Sequence, residues 1–204
     1  MGANGNEGEK KLNGAGRDWI GSKRFLDCNI RNKEADPNDY YATDPRAVEL
    51  LLEQEEFSQN IWEPACGEGH LSKVLEEKGH TVLSTDLIDR GYGIGGIDFL
   101  TETGMFQGDI ITNPPYKYAK EFVAKALESV PPGNKVAMFL KLTFLEGISR
   151  RELFKNHPPQ AVYVSSDRMR CGKNGDFTGP RSAVAYAWFV WRRGYPRPNT
   201  VKVV

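Results

Sequence analysis

The chain of 204 residues has no long apolar run, no paired cysteines and no cluster of histidines. The first absence leaves nothing of the length that a membrane span needs. The N-terminus also lacks the apolar core of a secretion signal, so a cytoplasmic protein is expected. Cys28, Cys66 and Cys171 are widely separated, which excludes a disulfide framework and disfavours structural zinc. His70, His80 and His157 are scattered likewise and read as surface or cap residues rather than as bases. No metal is expected. Missing too are the third glycine of a dinucleotide fingerprint and a Gly-Lys-Ser/Thr after the glycine turn, so nicotinamide cofactors and nucleoside triphosphates are disfavoured. What is there, 39% hydrophobic and 26% charged residues, suits one domain with a sizeable core.

Formal charge sums to zero but is unevenly placed. Residues 117–204 carry 16 Lys/Arg against 6 Asp/Glu, or +10, and residues 1–116 carry 11 against 21, or −10. The basic half suits a polyanionic partner. Within it Arg168, Arg170, Lys173 and Arg181 cluster between Asp167 and Ser182 with Phe177 and several glycines. The expectation is a loop whose cations neutralise phosphates while Phe177 stacks on a base; a solvated charged loop with Phe177 in a small core is the structural alternative. Residues 1–38 have five glycines before residue 17 and no periodic pattern, and read as a flexible arm. Trp19, Ile20, Phe25 and Leu26 would let part of that arm dock on the body or on a partner.

Two motifs carry chemistry. In the stretch from Ile61 to Leu71 a short apolar strand meets the turn Glu63-Pro64-Ala65-Cys66-Gly67-Glu68-Gly69 and a helix over Leu71 to Lys78. Glycines there let the backbone approach a ligand, and the helix start offers free amide donors to an anionic group such as a carboxylate. The next apolar run ends in Asp86, 19 residues after Gly67, which suits a carboxylate that accepts from ribose hydroxyls. The second motif is Asn113-Pro114-Pro115-Tyr116 at the end of the run Asp109 to Thr112. An exocyclic amine is a poor nucleophile because its lone pair is delocalised into the ring. The Asn113 side-chain oxygen and the Pro114 carbonyl can accept its two hydrogens and draw that pair out. Consecutive prolines stiffen the turn, and Tyr116 presents a face for stacking. The pattern points to methyl transfer to a planar nitrogen; a strand ending in a proline turn is the plain structural alternative.

Together with Asp39-Tyr40-Tyr41-Ala42-Thr43-Asp44-Pro45 and Asp98-Phe99, these motifs occur in the order used by the S-adenosylmethionine-dependent adenine-N6 DNA methyltransferases, and the chain resembles their small phage or prophage-like form from about Asp39 onward. The resemblance implies S-adenosyl-L-methionine as cofactor and direct in-line methyl transfer to a flipped-out adenine. Tyr41 and Thr43 would then help hold the methionine moiety, Glu63 to Gly69 would wrap the cofactor, Asp86 would take its ribose, and Asp98 its adenine amine with Phe99 against that ring. Read without the resemblance, Thr43-Asp44-Pro45 is a helix start, with Tyr41 and Thr43 as capping and core residues. The same Asn-Pro-Pro-Tyr turn serves enzymes that methylate RNA bases or a protein glutamine amide, and a catalytically silent cofactor-binding module is a third possibility. Many relatives carry a separate target-recognition domain. The catalytic fold takes up nearly everything from Asp39 to Val204, so specificity is expected from the Asp167 to Ser182 loop, the arm or a protein partner.

Strands alternate with helices along the chain. Helices are expected over Pro45 to Glu56, Tyr118 to Ser129 and Ser149 to Asn156, and strands over Val136 to Leu140, Ala161 to Ser165 and Ala183 to Trp191. That alternation predicts an α/β, doubly wound, Rossmann-like sheet with ligands at the carboxyl ends of its strands, where Gly67, Asp86, Asp98 and Asn113 all fall. The family adds an antiparallel last strand to an otherwise parallel sheet.

Overall fold

A computed structural model describes residues 1, 41–167, 169, 171–173, 184–195 and 200–203 of the chain. Strand β1 (Tyr41–Thr43) leads into helix α1 (Pro45–Gln54), whose start is set as the sequence requires. The Asp44 carboxylate accepts from the Arg46 amide at 3.1 Å, and Pro45 takes the first helical position, where no amide donor is needed. Strand β2 (Asn60–Glu63) and helix α2 (His70–Glu77) follow, then β3 (Thr81–Ser84) and β4 (Asp109–Thr112). A 3-10 turn, Tyr116–Tyr118, runs into helix α3 (Ala119–Ser129). Strand β5 (Lys135–Lys141) is followed by helix α4 (Arg151–Asn156), β6 (Ala161–Val164), β7 (Cys171–Lys173), β8 (Tyr186–Arg192) and β9 (Thr200–Val203).

Seven strands form one sheet in the order β3-β2-β4-β5-β8-β6-β9, and β1 pairs with β7 in a separate antiparallel ribbon. Strands β3, β2, β4 and β5 are mutually parallel; β8 runs antiparallel to both β5 and β6. The antiparallel strand expected last is therefore β8. Strand β9, which pairs in parallel with β6, was not anticipated; nor was the β1–β7 ribbon, whose three-residue strands carry too few positions for a period to show.

Alternation along the central strands builds two cores. Val136, Met138 and Leu140 of β5 face a core with Ile110, Phe122, Val123 and Leu127, whereas Ala137 and Phe139 face another with Ile111, Val48, Leu51 and Leu75. A strand buried on both faces reads as a continuous apolar run, which is how β4, β5 and β8 look in the sequence. At the amino ends of the strands Asp109 accepts from the Ser58 amide at 2.6 Å, the Lys135 amide at 2.7 Å and the Asn134 side chain at 2.9 Å, and the Lys135 ammonium meets buried Glu55 at 2.6 Å. These polar groups satisfy one another there, so the opposite rim is left for ligands. Among the described residues no helix is long and apolar enough to cross a membrane.

Candidate active site

A cleft of about 400 Å³ opens at the carboxyl ends of β2, β3 and β4. Its lining includes Tyr41 and Thr43 from β1, Glu63 to Cys66 from the end of β2 and its turn, Asp86, Asp98 and Phe99, and Asn113 and Pro115. The structure thus brings most of the sequence-predicted residues together. Gly67, Gly69, Pro114 and Tyr116 do not line the cleft. Pro114 is buried, and the two glycines shape the turn.

Gly69 caps α2 with φ 79°, and a Cβ built on it would lie 2.4 Å from the Tyr92 ring. The close approach that glycine permits here is therefore made by Tyr92, whose hydroxyl donates to the Glu76 carboxylate at 3.2 Å. Gly67 is held by Asp86, whose carboxylate accepts from the Gly67 amide at 2.8 Å and the Ile88 amide at 2.9 Å. The ends of β2 and β3 are further joined by backbone bonds from Thr85 to Glu63 and from Cys66 to Thr85. Asp86 is thereby fixed at the cleft with acceptor capacity remaining on both oxygens. Asp98 accepts from the Leu100 amide at 3.0 Å. It does not follow a strand, as the sequence suggested; the segment before it makes one isolated bridge, Ile94 to Thr85, because its glycines leave no apolar run to pair. Phe99 is largely a core residue, 5.1 Å from both Trp62 and Phe122, and shows the cleft only an edge of its surface.

Glu63 is a buried carboxyl that accepts from the Ser72 hydroxyl, which also contacts Ser84 Oγ at 2.6 Å. Burial holds its pKa well above the ordinary carboxylate value, and the Ser72 hydrogen bond opposes the shift without cancelling it. Burial, reinforced by Glu63 and Asp86, also pushes the Cys66 thiol up to about 12, so it stays protonated and unreactive.

The Asn113 amide is fixed in one orientation. Its Nδ2 donates to the Tyr41 carbonyl at 2.9 Å, and because a carbonyl can only accept, the nitrogen must face it and the oxygen is left as the acceptor. The Tyr116 ring is flanked on several sides, by Tyr41 at 5.9 Å, by Tyr186 at 5.9 Å and by the Lys141 ammonium at 4.6 Å. It is less open for stacking than the sequence implied, since its neighbours come from β1, β5 and β8 and only the fold assembles them.

Sequence reasoning missed several residues that line the cleft: His70 in the first turn of α2, Leu87 and Ile88 directly after Asp86, Arg90, and Lys117 and Tyr118 directly after the proline turn. Adjacency to the recognised positions was the available signal. The basic positions Arg168, Arg170 and Arg181 lie outside the described residues with Phe177, as does the side chain of Lys173, and so does the arm over residues 1–38 apart from Met1.

No family model matches the chain, and no curated protein matches it. Solved structures do. The fold is similar to that of a candidate class I S-adenosylmethionine-dependent methyltransferase from Listeria monocytogenes (TM-score 0.58, 13% identity, 80% of this chain and 65% of that one). It is likewise similar to a candidate RNA methyltransferase from Pyrococcus horikoshii (0.57, 14%, 85% and 98%). A third is a modification subunit of a candidate type I restriction enzyme from Vibrio vulnificus (0.56, 16%, 87% and 49%). The chain spans less than two thirds of the first and third of these proteins. At such identities the likeness establishes the fold alone, an α/β Rossmann-like sheet shared with these proteins.

Proposed function

We propose that the chain transfers a methyl group from S-adenosyl-L-methionine to the exocyclic N6 amine of adenine in DNA. The observation that carries this reading is the commitment of the Asn113 nitrogen to the Tyr41 carbonyl, which leaves the amide oxygen to receive a hydrogen from an amine. With Asn113 Oδ1 and the Pro114 carbonyl each accepting one hydrogen, the target nitrogen is held in one orientation and its lone pair is turned out of conjugation. That is positioning and electrostatic preorganisation, the two effects such a transfer demands of a protein.

The donor set of the cleft fits the cofactor. Asp86 would accept from its ribose hydroxyls and Asp98 from its adenine amine, beside the apolar surface of Phe99, Ile88 and Phe122. Tyr41 and Thr43 would help hold the methionine portion, and Glu63 to Cys66 would wrap the cofactor on the turn that Gly67 and Gly69 shape. When bound, S-adenosyl-L-methionine supplies a methyl carbon already activated by a positive sulphur. A base inside a duplex is out of reach of such a cleft and would have to be flipped out, with Tyr116 and Phe177 compensating lost stacking. Arg168, Arg170, Lys173 and Arg181 would neutralise the backbone, and a protein partner would add target specificity.

The modification subunit among the structural neighbours supports DNA as substrate, and the +10 charge of residues 117–204 supports a nucleic acid over a protein. RNA is the second reading, favoured by the RNA methyltransferase candidate, which this chain covers over 98% of its length. Labelled methyl transfer to duplex DNA, single-stranded DNA, total RNA and cell protein, run side by side, tests both. Label on N6-methyladenine in DNA is expected; label confined to RNA or protein replaces the first reading.

A further inference from the structure

We propose that the turn after β5, tipped by Ile148, is a wedge that enters a DNA duplex at the point the target base leaves; this rests on the function proposed above. Strand β5 runs parallel to β4, with Thr112 opposite Met138, so it ends at Lys141 on the rim where β4 delivers Asn113. The Lys141 ammonium, 4.6 Å from the centre of the Tyr116 ring, ties the two ends together.

The turn beyond Lys141 is braced. Phe144 is buried edge-on between Phe154 at 5.6 Å and Phe189 at 5.5 Å. The chain reverses at Gly147 with φ 106°, where a Cβ would sit 2.9 Å from the Arg150 guanidinium. Arg150 then closes the turn. Its Nε donates to the Phe144 carbonyl at 2.7 Å, its Nη2 to the Thr143 carbonyl at 3.1 Å and to the Glu146 carbonyl, and its guanidinium lies 5.0 Å from the Phe144 ring. A charged side chain used wholly to hold backbone carbonyls fixes the shape of the loop, and that shape leaves Ile148 92% exposed.

A lone exposed isoleucine is ordinary. One presented by a hydrogen-bonded turn on the same rim as the reacting groups can serve as a device. Isoleucine is stiff at χ1, so its apolar point is defined. Besides Arg150, residues 141–155 carry Lys141, Arg151 and Lys155 against Glu146 and Glu152, an excess of cations suited to a groove walled by phosphates. Apolar side chains pushed between base steps replace the stacking that extrusion of a base removes.

The test compares methyl transfer to one DNA preparation, native and heat-denatured, by the full chain and its Ile148→Ser, Ile148→Ala and Ile148→Leu variants. A wedge is needed only where a stack must be opened. The ratio of duplex to denatured transfer should therefore fall by about tenfold in the Ser and Ala variants and return toward the wild-type value in the Leu variant. An unaltered ratio overturns the proposal, whether transfer is retained, as for a site that docks a protein, or lost equally on both DNAs, as for a purely structural residue. A wild-type chain that labels neither DNA overturns the parent reading and the wedge with it.

Discussion

Replacing Asn113 separates the two things its amide does. In Asn113→Ala the hydrogen bond to the Tyr41 carbonyl disappears, a part-buried bond at 2.9 Å whose removal costs about 1 kcal/mol. For a body of this size that lowers the melting temperature by roughly 2–4 °C, so the variant remains folded at assay temperature. The loss in chemistry should be larger. Withdrawal of one preorganised polar partner from a reacting group typically lowers kcat by about 10²–10³-fold, or roughly 3–4 kcal/mol. Asn113→Leu keeps most of the volume, and an equal loss there would assign the effect to the missing oxygen rather than to a void. The assay is single-turnover methyl transfer with both substrates saturating, paired with calorimetric titration of S-adenosyl-L-methionine. Cofactor affinity should change by less than about fivefold, since in the proposed reaction the amide oxygen serves the amine and its transition state rather than the methyl donor. Either variant retaining more than about a third of wild-type turnover would refute the assignment of the amide oxygen as an amine acceptor.

Asp86→Ala should show the opposite division: it removes the carboxylate and orphans the amides of Gly67 and Ile88, so cofactor affinity falls by about 10- to 100-fold while turnover at saturating cofactor changes less, as calorimetry and kinetics on one preparation will show. Gly69→Ala meets the Tyr92 ring at 2.4 Å and also forces alanine to a φ of 79°, costing about 1–2 kcal/mol for the backbone alone. In urea unfolding the double variant with Tyr92→Ala should recover the steric part but not the backbone part, and additive effects within about 0.5 kcal/mol would contradict the packing described. Glu63 favours its neutral form in the fold, so the native state binds more protons than the unfolded chain above the ordinary carboxylate value of 4.5. Stability should then fall as pH rises from about 5 through neutrality, by up to ~1.4 kcal/mol per pH unit while the two states differ in protonation. Glu63→Gln, permanently neutral, should flatten that slope in thermal melts across the same window, and a slope equal to wild type would argue that the carboxyl is ionised in the fold.

Those residues differ in how far the sequence exposed them. The strand over Val136 to Leu140 and the Asp44-Pro45 helix start are local, and each recurs in the structure as read. What escaped was non-local. Nothing near Asn113 in sequence names Tyr41, 72 residues away, as the carbonyl that orients it. Nothing near Tyr116 names Tyr186 or Lys141 as its neighbours. Asp98 shows the converse, since the doubly wound scheme put it near a strand end although the residues from Gly91 to Gly96 lack the apolar run to build a strand. Local chemistry identified the walls of the cleft, and tertiary packing decided which side of each wall faces in.

Strand β1 is where those long-range interactions converge, and it links the two halves of the proposed reaction. The Tyr41 carbonyl orients the Asn113 amide, the proposed amine acceptor, the Tyr41 ring stacks on Tyr116, and Tyr41 and Thr43 line the cleft. The same strand pairs with β7, Tyr41 opposite Lys173 and Thr43 opposite Cys171, inside the segment expected to contact nucleic acid. Arg46, the second residue of α1, reaches both Asp44 at 3.1 Å and Asp167 at 3.6 Å, at the threshold of that segment. Any ligand that favours one placement of β1 favours it for the other site as well, and linkage makes the effect reciprocal. DNA affinity measured with and without S-adenosyl-L-methionine should therefore differ, by about 5- to 150-fold for a coupling of ordinary size, and the cofactor's affinity should change by the same factor when DNA is present. Arg46→Ala should shrink that factor while leaving each ligand's separate affinity close to wild type. Two affinities that prove independent would mean that β1 is a passive wall and that the orientation of Asn113 is set without reference to what binds beside it.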